Sequence, residues 1–317
     1  MKSAAFLVDA GPGVGLGHLR RSGILLDAMT NAGFNCRLYC QDIDAAAAIG
    51  RPASVPPAAI EEFPSIDVVI CDSYLMDMTR LASLRRRASV LLVFDDMGER
   101  HIDADLLLNH NLYGGKIDYT GLTNATVLSG PECTLVDAGL LKARAARGAS
   151  AGSGVVLSFG GTDDGARAAT LARLLLPSFA GPFYIVVAPG ITPSPDATAL
   201  AAERPGVVIL QQGPDMSRLL ASARLYLGAA GMTALEALVI GLDMVLCVIS
   251  DNQRLNADAF GEFSHAVIQG FQPKEAAAIA ATVLLRTYTP HSNPVDGKGA
   301  LRVVSAIERL LTLKQPT

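Results

Sequence analysis

The sequence lacks an excess of charge of either sign. It has 26 lysines and arginines against 30 aspartates and glutamates, and a formal net charge of −4 at pH 7. This balance gives no general electrostatic attraction to nucleic acid or to an anionic membrane. We therefore expect a small-molecule partner and no nucleic-acid partner. Nothing in the sequence indicates the oligomeric state.

Long apolar runs are also missing. The runs are much shorter than the roughly 18 residues that a membrane-spanning helix needs. The opening residues, MKSAAFLVDAGPG, have an apolar core too short for a signal peptide and are typical of a first strand. These features predict a cytoplasmic protein with no stable membrane insertion.

Cysteine is scarce, and its spacing favours neither disulfides nor zinc. The five cysteines are odd in number and lie mostly in apolar runs, which is typical of buried thiols in a reducing compartment. Cys36 and Cys40 alternate within CRLYC as residues of a strand do, and no nearby pair completes a zinc site. We predict no metal and no cofactor.

Apolar residues are plentiful, at 50% of the 317 residues, so a sizeable core is available. Short apolar runs in the first half predict strands at AAFLVD, CRLYC, DVVICD, VLLVFDD and DLLLNH. Between several of them lie predicted helices over 18–31 and 77–87, the second capped by Asp77. Three polar segments follow such strands and should share one sheet edge: 13–18, 72–74 and 95–96.

The small, basic stretch KARAARGASAGSG, residues 142–154, predicts a linker. After it the pattern restarts, with strands at GVVLSF, FYIVVA, GVVIL, RLYLGA and DMVLCVI. Helices are predicted over 166–176, 215–223, 232–240 and 253–263, and Gly241 should stop the third. The fold class is therefore α/β: two Rossmann-like domains, residues 1–147 and 153–317, with a cleft between them. The amphipathic last helix, KGALRVVSAIERLLTL, is expected to pack back on the first domain.

The loop GVGLGHLRR, after the first strand, is the most informative stretch. It fails the G-x-G-x-x-G dinucleotide pattern in every register, and it lacks the lysine of a phosphate-binding Walker loop. Gly15 and Gly17 would let a ligand approach the backbone, and Arg21 would contact it. His18, at the positive end of a helix, should stay neutral and accept a proton. The alternative is a histidine that only caps or packs the helix.

Three stretches in the second half predict nucleotide-sugar contacts, each with a purely structural alternative. In LSFGGTDDG the amides of Gly160, Gly161 and Thr162 would meet a phosphate or sugar, or form only a tight turn. In GAAGMTALEAL the helix start would bind a diphosphate and Glu236 would bind ribose hydroxyls, or the helix would simply begin there. The residues of that helix start are Gly231, Met232 and Thr233.

The third stretch, ISDNQRLNA, also follows a predicted strand. Asn252 and Gln253 would hydrogen-bond a sugar there. The alternative is that Asn252 is only the cap of the next helix.

Taken in order, these motifs resemble a known family. They are GLGHLRR, DSY, FDD, DLLLNHN, SFGGTD, AAGMTALEAL, DNQ and DGKGALRV, and they span the chain from Asp9 to about Arg302. This set is similar to the PseG-type UDP-sugar hydrolases of pseudaminic acid biosynthesis. Those enzymes share the two-domain GT-B fold of the glycosyltransferase that completes lipid II.

The resemblance implies metal-independent hydrolysis of a UDP-linked 2,4-diacetamido-2,4,6-trideoxyhexose of the altrose series. Water would attack the anomeric carbon with inversion, releasing UDP and a sugar for nonulosonic acid synthesis. His18 would be the essential histidine, and the helix start at Gly231 with Glu236 would be the UDP site. Tyr74 and Asn252 would face the sugar.

The chain departs from the family pattern at three positions. Leu7 replaces an arginine of the first strand, and Cys133 and Asp137 replace a tyrosine and an arginine before the linker. These changes leave the sugar epimer open. Two further hypotheses also stand: a GT-B glycosyltransferase that uses a UDP-amino sugar, and a nucleotide-sugar binding protein without catalysis.

Overall fold

A computed structural model describes residues 2–11, 14, 16–56, 65–148, 150–213, 215–263, 265–289 and 291–314. The chain divides into two compact units, Met1–Val136 with Pro294–Thr317, and Asp137–Asn293. Within the described residues, each unit carries one six-stranded parallel sheet. The predicted α/β class with two parallel sheets is confirmed.

The sheet of the first unit has the order β2-β1-β3-β4-β5-β6. Its four inner strands are mostly apolar and buried, because both faces of a parallel sheet are covered, whereas the two edge strands carry polar residues. Its elements up to the crossing into the second unit are β1 (Ser3–Val8), α1 (Gly17–Asn31), β2 (Asn35–Tyr39), α2 (Ile43–Ala48), β3 (Ile66–Asp72), α3 (Met78–Arg85), β4 (Ala88–Phe94), β5 (Leu106–Asn109) and β6 (Thr126–Ser129).

The sheet of the second unit has the order β12-β11-β10-β7-β8-β9. Its elements are α4 (Ala138–Arg147), β7 (Val155–Ser158), α5 (Ala166–Leu175), β8 (Phe183–Val187), α6 (Pro195–Glu203), β9 (Val207–Gln211), α7 (Met216–Ser222), β10 (Leu225–Ala229), α8 (Met232–Ile240), β11 (Asp243–Val248), α9 (Arg254–Gly261), β12 (Ala266–Gln269) and α10 (Pro273–Leu285).

Local sequence signals set several helix ends. The carboxylate of Asp77 accepts from the Arg80 amide at 2.7 Å and begins α3. Gly241 ends α8 in the left-handed region, at φ 89°, where a residue without Cβ has no steric penalty. The predicted caps at these two positions are therefore correct.

The predicted linker differs from what the structure contains. Residues 142–147 form the second half of α4, which belongs to the second unit. Alanine, arginine and lysine are good helix formers, so the composition KARAAR of residues 142–147 suits a helix. Asp137 begins this helix by accepting from the Gly139 amide at 2.6 Å.

The last helix, α11 (Gly299–Leu313), belongs to the first unit. Val303, Val304 and Ile307 on its apolar face are buried in the same core as Phe6 and Leu92. Gly299 makes the docking possible, because a Cβ there would stand 2.3 Å from the carbonyl oxygen of Thr134. In the part of the chain that the structure describes, no helix is long and apolar enough to cross a membrane.

Candidate functional site

The first unit has its topological switch point between β1 and β3. The chain adds β2 on one side of β1 and then β3 on the other, and ligands of open parallel sheets bind outside the carboxyl ends of strands at such a point. Asp72 is the last residue of β3, and His18 is the second residue of α1, the helix that follows β1. The fold thus brings two polar residues to the edge where a ligand is expected.

His18 and Asp72 form a buried pair at this edge. The Nδ1 atom of His18 lies 2.5 Å from Oδ1 of Asp72, and the two residues are 6% and 0% exposed. Burial would raise the pKa of Asp72, but Arg21 and His18 hold it well below its usual range. An ionised carboxylate only accepts, so Nδ1 carries the proton and Nε2 is the nitrogen that accepts one.

Arg21 joins this pair to a second carboxylate. Its Nε and Nη2 atoms donate to Asp72 at 2.8 and 2.6 Å, and its Nη1 donates to both oxygens of Asp96 at 2.9 and 2.8 Å. Burial would lower the pKa of Arg21, but the two carboxylates raise it well above its usual value, so the guanidinium stays charged. Ser22 also donates to Asp72, at 2.8 Å.

The role predicted for Arg21 therefore differs from its position. We expected a substrate contact, but the guanidinium is buried, 6% exposed, and spans two carboxylates. Such a planar fork suits bidentate carboxylate pairing. Arg21 is better described as the residue that fixes Asp72 beside His18.

Tyr74 completes the cluster. Its ring packs edge-on against His18, with the centroids 4.6 Å apart, and its hydroxyl donates to Asp96. Burial and the charge of Asp96 raise the pKa of this phenol, so it stays protonated and donates. Tyr74 is nevertheless 45% exposed, so one face of the cluster reaches solvent.

The described residues among 13–18, 72–74 and 95–96 thus lie at one sheet edge, as predicted. The carboxylates of Asp95 and Asp96, however, have different hydrogen-bond partners. Asp96 also accepts from Asn111 at 2.6 Å and belongs to the cluster. Asp95 instead accepts from the Gly98 amide at 2.6 Å and from Tyr119 at 3.0 Å. Sequence reasoning had not separated these neighbouring residues.

His110, in the NHN stretch after β5, is a titratable neighbour of the cluster. It is 2% exposed, and burial together with Arg21 lowers its pKa to about 3. It is therefore neutral near pH 7.

Of the glycines predicted to line the first loop, Gly17 begins α1 and is half-buried. Gly15 and the adjacent Gly13 lie outside the described residues.

The second unit has its switch point between β7 and β10. Gly228 lets these strands approach closely, because a Cβ there would stand 2.0 Å from the Ser158 carbonyl oxygen. Gly160 follows β7 at φ 106°, and apart from Gly160 itself and its two chain neighbours no described atom lies within 4 Å of where its Cβ would stand. The backbone is open at the edge predicted to bind phosphate or sugar.

Helix α8 begins at the same edge, directly after β10. Gly231 precedes its first residue, and apart from Gly231 itself and its two chain neighbours no described atom would lie within 4 Å of a Cβ at that position. A helix start with open space before it is a ready anion site. Thr233 accepts from Gln212 at 3.0 Å, and Met232 is half-buried. Glu236 is buried, 7% exposed, one turn into the helix.

The other predicted contacts lie on turns of the second unit. Gly161 is half-buried and Thr162 is exposed, while Asp163 and Asp164 accept from the amides of Gly165 and Ala166, both at 3.0 Å. Burial raises the pKa of Asp163. These acidic side chains support the start of α5.

Asn252 and Gln253 lie in a 3-10 turn, Asp251–Gln253, before α9. Asn252 is exposed and accepts from Ser250 at 2.6 Å, whereas Gln253 accepts from the Ile249 amide at 3.0 Å. Helix α9 begins at Arg254 with no side-chain cap bond, so the alternative that Asn252 only caps it does not hold. Gln253 supports the turn.

The three departures from the family pattern have local structural roles. Leu7 is buried in β1, within the core of the first unit, and Cys133 is buried in that unit as well. Burial raises the pKa of the Cys133 thiol to about 11, so the thiol is inert near pH 7. Asp137 caps α4.

Comparisons with known proteins establish the fold. No protein-family model and no curated protein matches the chain. Among solved structures, UDP-GlcNAc 2-epimerase from Methanocaldococcus jannaschii is 14% identical with a TM-score of 0.60, over 98% of this chain and 100% of that one.

Two further neighbours agree. MurG of Acinetobacter baumannii is 14% identical with a TM-score of 0.59, over 99% of both chains. UGT89C1 of Arabidopsis thaliana, complexed with UDP, is 13% identical with a TM-score of 0.65, over 99% of this chain and 100% of that one. The chain therefore has the GT-B fold that the resemblance implied. At these identities the likeness shows the fold alone.

Proposed function

We propose that this protein is a UDP-sugar hydrolase whose general base is His18. The observation that carries the proposal is the buried pair of His18 and Asp72 at the switch point of the first unit, 2.5 Å apart. A carboxylate that holds Nδ1–H leaves Nε2 to take a proton, as in the Ser-His-Asp arrangement of serine proteases. The resemblance places the same histidine at the catalytic position.

In the proposed reaction, His18 takes a proton from a water molecule while the oxygen of that water attacks the anomeric carbon. The bond between that carbon and the β-phosphate oxygen breaks, and its electron pair leaves with UDP. The configuration at the carbon is inverted. Asp72 stabilises the imidazolium that forms. UDP is a good leaving group, so the mechanism needs no strong general acid.

The second unit supplies the nucleotide site in this proposal. Amides at the start of α8, around Gly231, Met232 and Thr233, would bind the diphosphate and stabilise the charge that develops on it. Glu236 would accept from the ribose hydroxyls, and Gly160, Gly161 and Thr162 would add contacts from the neighbouring loop. A helix start supplies positive potential without a divalent cation, so we propose metal-independent binding.

The sugar is proposed from the resemblance as a UDP-linked 2,4-diacetamido-2,4,6-trideoxyhexose, with Tyr74 and Asn252 facing it. Tyr74 is half exposed beside the base, and Asn252 is exposed at the edge of the other sheet. Both side chains can hydrogen-bond acetamido groups. The free sugar would be used in nonulosonic acid synthesis. We propose that the reaction takes place in the cytoplasm.

We expect UDP to bind the wild-type protein in buffer containing EDTA, and Glu236→Gln to weaken that affinity by about 1–3 kcal/mol, roughly 5- to 150-fold. The physical reason is the loss of charged hydrogen bonds to ribose. Isothermal titration calorimetry measures both values. The control is Glu275→Gln, an exposed glutamate on α10, which should bind UDP as the wild type does. Binding that requires magnesium, or unchanged affinity in Glu236→Gln, would contradict this nucleotide site.

A GT-B glycosyltransferase is the second candidate. It would use the same UDP site and the same base but would transfer the sugar to an acceptor hydroxyl. The observation that favours it is the exposed apolar surface beside Tyr74, formed by Leu75 and Met78, which are 77% and 51% exposed. Such a surface suits a lipid-linked acceptor. Release of free sugar in the absence of any acceptor separates the hydrolase from this candidate.

A further inference from the structure

Asp96 makes no hydrogen bond to His18. Two sets of contacts nevertheless connect Asp96 to His18. The first route runs through Arg21, which grips Asp96 with Nη1 and Asp72 with Nε and Nη2. A guanidinium is planar and rigid, so the position of one carboxylate fixes the direction in which the fork meets the other. Asp72 in turn holds Nδ1 of His18.

The second route runs through Tyr74. Its hydroxyl donates to Asp96, and its ring lies against the imidazole at an interplanar angle of 86°. The bond to Asp96 therefore fixes the ring that limits how far His18 can rotate. The imidazole is held on one side by Asp72 and on the other by Tyr74, and both contacts depend on Asp96.

Asp96 is built for such a role. It is 5% exposed, and its two oxygens accept from Arg21, from Tyr74 and from Asn111. A buried carboxylate with this many donors is rigid, and polar networks that are fully satisfied specify one arrangement. Groups that orient a catalytic residue through such bonds are part of the site although they never touch substrate.

We propose that Asp96 is the positioning residue of the catalytic centre: it holds His18 in the base-competent orientation through Arg21 and Asp72 on one side and through Tyr74 on the other. This inference rests on the proposed function for its kinetic consequence. Its geometric consequence can be measured in the free protein without any substrate.

The kinetic test compares Asp96→Asn with Asp95→Asn. These neighbours are both 5% exposed, but the bonds of Asp95 go to Gly98 and Tyr119. For hydrolysis of the UDP-sugar, Asp96→Asn should lower kcat roughly 10- to 100-fold and keep KM within about twofold. Asp95→Asn should leave both kcat and KM close to wild type. Equal effects of the two substitutions would overturn the proposal.

The geometric test is a ¹H–¹⁵N spectrum of the histidine side chains in the free protein, assigned with His18→Ala. In the wild type and in Asp95→Asn, His18 should show one tautomer with the proton on Nδ1. In Asp96→Asn it should show mixed tautomers. If Asp96→Asn folds and still gives the wild-type spectrum, the proposal is wrong.

Two further results keep the inferences separate. If Asp96→Asn does not fold, Tyr74→Phe replaces it: this variant keeps the ring and loses the hydroxyl bond to Asp96, and it should also show mixed tautomers. A wild-type spectrum in Tyr74→Phe would then overturn the role of Asp96. If the spectra change as expected but the wild type hydrolyses no UDP-sugar, the hydrolase function fails and the positioning role stands.

Discussion

His18→Ala is expected to lower kcat for UDP-sugar hydrolysis roughly 10²–10⁴-fold, while UDP binds with nearly unchanged affinity. The rate falls because water loses the group that takes its proton. UDP binding should persist because the proposed nucleotide site lies in the second unit. The fold should also persist, since the carboxylate of Asp72 keeps its bonds from Arg21 and Ser22.

Single-turnover kinetics and calorimetry measure the two quantities on one preparation. The control is His101→Ala, an exposed histidine of the first unit, which should hydrolyse the substrate as the wild type does. A fully active His18→Ala enzyme would leave His18 with a packing role.

Asp72→Asn is expected to impair both the reaction and the fold. The amide can donate to Nδ1, which would move the imidazole proton to Nε2 and abolish the base, so kcat should fall roughly 10²–10⁴-fold. The neutral side chain also leaves Arg21 with one carboxylate. Breaking a buried ion pair costs about 3–5 kcal/mol of unfolding free energy. Denaturant unfolding of the first unit, monitored by hydrogen exchange, measures this loss of unfolding free energy.

The stability loss should depend on pH in a stated direction. Arg21 and His18 lower the pKa of Asp72 in the folded protein below the value of about 3.9 that an aspartate has when unfolded. The ionised carboxylate therefore contributes its full stability above about pH 4, and this contribution is lost as the pH falls toward the folded value. The gap between wild type and Asp72→Asn should narrow below about pH 4.

Asp27→Asn gives the matched comparison for that experiment. Asp27 pairs with Arg51 at 2.5 Å on the surface of the same unit, and its side chain is 50% exposed. Exposed pairs of this kind contribute about 0–1 kcal/mol. If Asp72→Asn destabilises the first unit no more than Asp27→Asn does, the buried ion pair of Arg21 and Asp72 does not stabilise the fold in the way predicted.

Most strands of both sheets could be predicted because a strand buried on both faces is a nearly continuous apolar run, as in DVVICD for β3 and DMVLCVI for β11. Helix α8 could be predicted to the residue, from a glycine turn at one end and Gly241 at the other. The resemblance, carried by an ordered set of short motifs, gave the GT-B fold that the solved structures confirm.

Other elements escaped prediction for physical reasons. The second half of helix α4 falls in the predicted linker because alanines, arginines and a closing glycine fit both a helix and a flexible segment. The edge strands β6 and β12 are only partly buried and have polar residues at their ends, so they lack the continuous apolar run that marks the buried strands of equal length, β5 and β7. Both edge strands gain their stability from a neighbour in the sheet, which local sequence does not display.

The sequence predicted where the residues of the candidate site lie, but not which of them pair with one another. Sequence order placed His18, Asp72 and Asp96 at strand ends that share one edge. It could not show that Arg21 spans the two carboxylates, because that contact joins α1, β3 and the loop after β4 across 51 and 75 residues. Nor could it show that Asp96 belongs to the cluster and Asp95 does not, since the side chains of neighbouring residues after a strand point in different directions.

Hydrolysis in ¹⁸O-water tests the central claim most directly. The wild-type enzyme is incubated with a UDP-2,4-diacetamido-2,4,6-trideoxyhexose and no acceptor, and the products are analysed by mass spectrometry and NMR. The mechanism predicts the label on the sugar, a first-formed anomer of opposite configuration to the substrate, and unlabelled UDP. Label on the phosphate of UDP would mean attack at phosphorus, and no release of sugar without an acceptor would mean a transferase or a binding protein. Either result would contradict the proposal that His18 directs water to the anomeric carbon.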